Sequence, residues 1–277
     1  MKITDTYGSI FSAYDNGKFN MKKWERYLSA TIPAFAEEIK KDSVRIDFEN
    51  RALPVLNSLP VNKEKAELAH TNFLRATNKI DMKIKEQFNV SLDVNIVFYL
   101  GLCNAAGWAT EINNSRVLLL GIEKIVELDW YDEKSMLMLI YHELGHIWHF
   151  KYEKRELLPL TKRKLALRQL IREGIAMTFE QIMCGDENYF HQNTGSWIKW
   201  CNNNEQKIKK EYMRRIKNGE SVQDFFGDWC FYDDHSDIGY FLGSRFIRYL
   251  MNSYQFEKIA SFSLSKFYKL FIQYCEV

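Results

Sequence analysis

The chain holds no apolar run long enough to span a bilayer, and residues 1–35 contain no apolar segment of the kind a secretory signal carries. The expectation is a soluble, cytoplasmic protein with no membrane partner. Cysteine is sparse: Cys103, Cys184, Cys201, Cys230 and Cys275 are odd in number, scattered, and never spaced as CxxC. That argues against a disulfide scaffold and leaves reduced, structural thiols. No internal repeat or low-complexity stretch occurs, and only four prolines punctuate the 277 residues. A surplus of one charge is also missing, with 38 Lys and Arg against 36 Asp and Glu for a formal charge of +2. A general nucleic-acid binder needs a basic surplus to neutralise phosphates, so that class drops out. Core-forming material, by contrast, is plentiful. At 46% hydrophobic and 15% aromatic, the chain suits one compact enzyme or two closely packed lobes.

Periodicity gives an order of elements. Residues 1–60 read as short helices, with Trp24, Tyr27, Ile32, Phe35 and Ile39 as apolar positions. Lys63 to Phe88 reads as a long amphipathic stretch, in which Leu68, Phe73, Leu74, Ile80 and Ile84 fall near helical spacing; His70 within it reads as a surface or groove histidine. The period then changes. Val94–Leu100 is β-branched and aromatic, a strand buried on both faces; Asn104–Thr110 is a second, Asn113-Asn114 a turn, and Arg116–Leu120 a third, ending at Gly121. Helical patterns resume over Thr161–Met183 (after Pro159, stopping at Cys184-Gly185), Trp197–Lys217 with a basic solvated face, Ile238–Ser253 and Ser263–Tyr274. The fold expected is α+β and mainly helical: a small mixed or antiparallel sheet packed on a helix over residues 135–150, in a lobe of residues 1–150. A helical lobe of residues 151–277 follows.

That helix carries His142-Glu143-Leu144-Gly145-His146. Successive helical residues step round the axis by about 100°, so the two imidazoles lie about 40° apart on one face and roughly 6 Å apart along it. Two histidines so placed can bridge onto one zinc ion. Glu143 falls about 60° beyond His146, where it can reach a water on the ion rather than the ion itself. Ser135–Tyr141 is apolar around nearly the whole turn, as in a buried helix, and Asp129 or Asp132 can cap its start. Buried histidines and a buried glutamate need partners, which a metal and its water would supply. The plain alternative is a pair of hydrogen-bonded core histidines.

A catalytic zinc commonly takes three protein ligands and leaves a position for water. His149 shares the face but stands about 10 Å from His142 along a straight helix, too far to share one ion. The metzincin pattern fails as well, because it wants Gly at position 149 and His at position 152, which is Tyr152. Two candidates stay open. Glu173 lies in Arg172-Glu173-Gly174-Ile175-Ala176, where small neighbours allow two backbones to approach. The cluster Asp233-Asp234-His235-Ser236-Asp237 is the other; it also reads as a loop and helix cap before Ile238.

HELGH at 142–146, EGIA at 173–176 and Gly239-Tyr240-Phe241-Leu242-Gly243 together resemble the glutamate-zincin metallopeptidases. More narrowly, the set is similar to bacterial zinc-dependent proteases that pair HExxH with EGxA and a later GYxxG. The resemblance covers roughly residues 94–250 and rests mainly on the first two motifs. It implies a zincin-like fold with His142, His146 and Glu173 on Zn2+ and Glu143 as general base. It also implies an edge strand above the metal, Gly107–Thr110 or Arg116–Leu120, that pairs with an extended substrate. One departure stands out. Thermolysin-like relatives orient a zinc-bound histidine with an Asp where this chain has Met177, so that partner must come from Glu180, Asp233 or a backbone carbonyl.

The reaction expected is peptide hydrolysis, with a peptide or protein as partner. Tyr240 is the first candidate donor to the oxyanion and His235 the second; the alternative for Tyr240 is a packed core position. Two other readings remain: a zincin scaffold that binds without turnover, which the presence of Glu143 argues against, and a zinc hydrolase acting on a non-peptide amide.

Overall fold

The computed structural model describes residues 1–43, 47–153, 160–227 and 229–277, and the chain divides into two compact units, Met1–Ile147 and Trp148–Val277. The fold is α+β and mainly helical, with a small mixed sheet. The first unit runs β1 (Lys2–Asp5), α1 (Tyr7–Ile10), β2 (Tyr14–Asp15), β3 (Lys18–Phe19), α2 (Met21–Thr31), α3 (Ala36–Ser43), α4 (Leu53–Ser58), α5 (Lys63–Thr77) and α6 (Ile80–Phe88). Then come β4 (Asn95–Tyr99), β5 (Gly107–Ile112), β6 (Ser115–Gly121), α7 (Ile122–Glu127) and α8 (Glu133–His149).

Four strands form the sheet in the order β1-β4-β6-β5, parallel between β1, β4 and β6 and antiparallel between β6 and β5. The inner strands β4 and β6 bury Ile96, Val97, Phe98, Val117, Leu118 and Leu120 completely, as expected of strands covered on both faces. Asn113 and Asn114 both take the left-handed conformation, φ 51° and 60°, which closes the β5–β6 hairpin with the twist that suits its strands. Of the two candidate edges, β5 is the edge and β6 lies inside.

The N-terminal sixty residues are not helices alone: β1 and the β2–β3 hairpin lie among them. β1 has four residues with Lys2 and Asp5 at its ends, and it becomes a strand only by pairing with β4, Ile3 opposite Ile96. Helix α2 then clamps the end of β4. The Trp24 indole donates to Leu100 O at 2.9 Å, and the Leu100 amide donates to the Tyr27 hydroxyl at 2.9 Å. Thr6 Oγ1 donates to Phe98 O at 2.8 Å and shares a 2.6 Å hydrogen bond with that hydroxyl. The stretch 63–88 is two helices, not one: the chain breaks at Asn78, and Lys79 sits at φ 58°. His70 packs its ring on Tyr7, centroids 4.2 Å apart, with Nε2 at 2.7 Å from the Asp5 carboxylate.

The second unit comprises α9 (Lys162–Cys184), α10 (Trp197–Asn203), α11 (Glu205–Asn218), α12 (Ile238–Met251), α13 (Phe256–Ala260) and α14 (Leu264–Glu276). The Thr161 side chain caps α9 by accepting from the Lys164 amide, and Gly185 ends it at φ 73°. Residues 154–159, which include Pro159, lie outside the described residues. The stretch 197–217 breaks at Asn204. Its basic face is not wholly solvated either: Lys209 is buried against Glu205 at 2.8 Å, while Arg214 and Arg215 both pair with Glu211. Phe179, Tyr212, Phe225, Phe241, Phe246 and Phe271 form the core of this unit. Among the described residues no helix is long and apolar enough to cross a membrane.

Candidate functional site

Helix α8 begins at Asp132, whose Oδ1 accepts from the Lys134 and Ser135 amides at 3.0 and 3.1 Å. Of the two candidate caps, Asp132 therefore does the capping, while Asp129 lies at φ 55° and pairs with Lys65. Met136, Ile140, Leu144 and Ile147 are fully buried, which fixes the helix in its unit. On the same helix His142, Glu143 and His146 are 4%, 7% and 9% exposed. The two imidazole rings stand nearly perpendicular, 84° between planes, with centroids 5.0 Å apart. Helical periodicity thus brings the rings together as the spacing requires. His149 lies on α8 too, buried, one turn further on.

Glu143 is held from outside its helix. Its Oε2 accepts from the Ala109 amide of β5 at 2.9 Å. Gly107, two residues earlier on the strand, makes room for it: a Cβ there would stand 2.6 Å from Glu143 Cγ and 2.7 Å from Oε1. In β5 the backbone of every second residue faces β6, and Gly121 N donating to Ala106 O fixes the phase. Ala106, Trp108 and Thr110 therefore turn to β6, whereas Gly107 and Ala109 turn to the open edge. A carboxylate occupies the outward amide of Ala109.

A second buried carboxylate lies behind the same strand. Glu123, at the start of α7, accepts from the Gly101 amide at 2.8 Å and the Cys103 amide at 3.0 Å, and so pins the loop leading into β5. Burial pushes its pKa up to about 6, against the pull of those two amides. Burial likewise raises the Cys103 thiol, with Glu123 adding to the effect, so this cysteine is a protonated, structural thiol.

In the second unit, Glu173 is half-buried on α9, and Arg172 beside it lies over the Phe150 ring, 4.9 Å from the centroid. The small residues of EGIA and GYxxG meet there. A Cβ on Gly174 would be 2.5 Å from Gly243 O of α12, and one on Gly243 would be 2.7 Å from Leu170 O of α9. The two helices cross backbone to backbone at this point. On α9 the fully buried Glu180 receives the His191 ring, Nδ1 at 3.1 and 3.2 Å from its oxygens, and Gln192 Nε2 lies 2.7 Å from His191 Nε2. The ring therefore donates through Nδ1 and accepts through Nε2. Tyr240, on the first turn of α12, stands between His191 and Phe226, with ring centroids at 6.1 and 5.7 Å.

His235 occupies a tight turn in which it bridges Tyr232; its ring stacks on Trp200 at 3.9 Å and Nδ1 donates to Asp233 O at 2.6 Å. Asp237 accepts from the Gly227 amide and Asp233 pairs with Lys207, so that cluster builds a loop. Sequence reasoning passed over Glu123 and His191, and placed Gly107 only as the start of a candidate edge strand. A signal for Glu180 existed: it stands seven residues after Glu173 on the same helix, hence on the same face. Searches against family models, curated proteins and solved structures find no match to the chain.

Proposed function

We propose that the protein is a zinc-dependent peptidase of zincin type, in which His142, His146 and Glu173 hold one divalent cation. The observation that carries this reading is the pair of buried, perpendicular imidazoles on α8 with a carboxylate fixed beside them by a sheet edge. Two imidazole nitrogens and one carboxylate oxygen are also the donor chemistry that suits catalytic zinc. In place of the Asp missing at Met177, Glu180, Asp233 or a backbone carbonyl supplies the group that orients a ligand histidine.

Zinc in such a site supplies Lewis acidity and brings the pKa of a water close to neutrality. Glu143 accepts the proton of the attacking water and returns it to the leaving amine. The Tyr240 hydroxyl donates to the oxyanion that develops on the scissile carbonyl. Of the two candidate donors Tyr240 is preferred, because the His235 ring is stacked and its Nδ1 already used.

Glu143→Gln is expected to retain stoichiometric zinc and lose peptide cleavage by about 10²-fold or more, as loss of a general base does. Zinc content by elemental analysis and turnover on a peptide library measure the two together. Unchanged turnover rejects the base. Glu173→Ala is expected to release the metal, and full zinc content in that variant rejects the ligand. Wild-type protein that holds zinc and cleaves no peptide would favour the non-catalytic or non-peptide readings.

A further inference from the structure

The general base proposed above is not positioned by its own helix alone. The outward face of β5 meets the Glu143 carboxylate at two points: the Ala109 amide donates to Oε2 at 2.9 Å, and the bare Cα of Gly107 leaves the space that Cγ, Cδ and Oε1 fill. These contacts constrain different atoms. The amide fixes one oxygen, and the glycine allows the whole carboxyl group to lie flat against the strand. A Cβ at position 107 would stand 2.6, 2.9 and 2.7 Å from those three atoms. Real Cβ contacts do not close below 3.0 Å, and ordinary contact begins at 3.4 Å. The carboxyl group would have to retreat by roughly 0.8 Å, the difference between 3.4 and 2.6 Å.

We propose that Gly107 is a positioning residue for Glu143, and that the Ala109 amide at the open edge of β5 is reserved for this carboxylate. The inference rests on the reading of Glu143 as base only for its catalytic consequence; the placement of the side chain stands apart from it. It also carries a consequence for binding. A peptide that extends the sheet along β5 finds the outward amide of Ala109 already taken, so it either pairs elsewhere on the edge or displaces Glu143.

Two measurements on the full chain, with neither metal nor substrate needed, test the placement. In wild type the Ala109 amide is expected to exchange slowly with solvent although its strand is an edge. In Glu143→Ala its exchange should rise by about tenfold or more, while Trp108 and Thr110, which face β6, change little. The second is a double-mutant cycle on thermal stability. Gly107→Ala should lower the melting temperature in wild type and have little effect in Glu143→Ala, where the clashing atoms are gone. Equal effects of Gly107→Ala in both backgrounds, or an Ala109 amide indifferent to Glu143, would overturn the proposal. If Gly107→Ala fails to fold, the exchange measurement on Glu143→Ala still decides. For the zinc-loaded enzyme, Gly107→Ala should lower kcat by about tenfold or more with KM within about twofold, since displacement on the order of 1 Å harms the chemistry more than binding. A KM effect with kcat unchanged would reject the positioning role while leaving the peptidase reading intact.

Discussion

Glu123 offers a test of the loop that leads into β5, and its magnitude can be worked out. The carboxylate is 1% exposed and accepts from two amides, one on each oxygen. Glycines at 101 and 121 crowd it closely: a Cβ on Gly101 would lie 2.5 Å from Oε1, and one on Gly121 3.0 Å. Burial lifts its pKa from 4.5 to about 6, so the folded protein binds this proton more tightly than the unfolded chain does. A carboxyl raised in this way leaves stability untouched below the unfolded value. Stability then falls as pH rises through the window from 4.5 to about 6, with the loss complete above it. A pKa gap of about 1.5 corresponds to about 2 kcal/mol. Glu123→Gln presents one oxygen and one NH2 to the same two amides at every pH, much as the protonated acid does. Urea unfolding of both proteins between about pH 4 and pH 7 isolates the effect, because all other carboxyls titrate in both and cancel. The variant should gain about 2 kcal/mol relative to wild type across that range. A difference that stays constant, or that moves in favour of wild type as pH rises, would show that the two amides outweigh burial.

Further outcomes follow from the close crossing of α9 with α12 and from the cap of α8. Gly174→Ala drives a methyl into the Gly243 backbone and should cost about 3 kcal/mol in urea unfolding, as overpacking of a rigid contact does; a cost near zero would mean the helices separate freely there. Asp132→Ala removes the cap of the histidine helix and should lower stability by about 1 kcal/mol, with Asp132→Ser or Asp132→Asn restoring most of it. Failure of either rescue would point to a role for Asp132 beyond capping.

The legible parts of the fold were those with local causes. Thr161 and Gly185 bound α9 as their side-chain and backbone chemistry dictates, Ser263 caps α14, and the Asn113-Asn114 turn closes the hairpin. What escaped depended on distant partners. β1 is a strand only because β4 lies beside it, and four residues ending in charges give no local sign of that. The breaks at Asn78 and Asn204 escaped for a different reason: apolar spacing continues through both, and only the backbone-competing asparagines marked them.

The site divides along the same line. His142 and His146 are an intrahelical pair, so their spacing alone predicts their proximity, and the rings do meet. Gly174 and Gly243 were flagged as small residues near a motif, but their meeting is a property of two helices and appears only in the packed unit. Glu143 shows the limit most clearly. Helical geometry places its Cα on the flank of the histidine face, yet a glutamate has three rotatable bonds and many places to put its oxygens. The sheet edge removes that freedom through an amide at position 109 and a missing side chain at position 107. A base must sit within hydrogen-bond reach of its proton, and side-chain freedom works against that requirement. The edge strand therefore does for Glu143 what periodicity does for the histidines. Glycine at 107, which reads in the sequence as one more small residue in a strand, becomes the position where a single methyl should separate helix formation from the placement of Glu143.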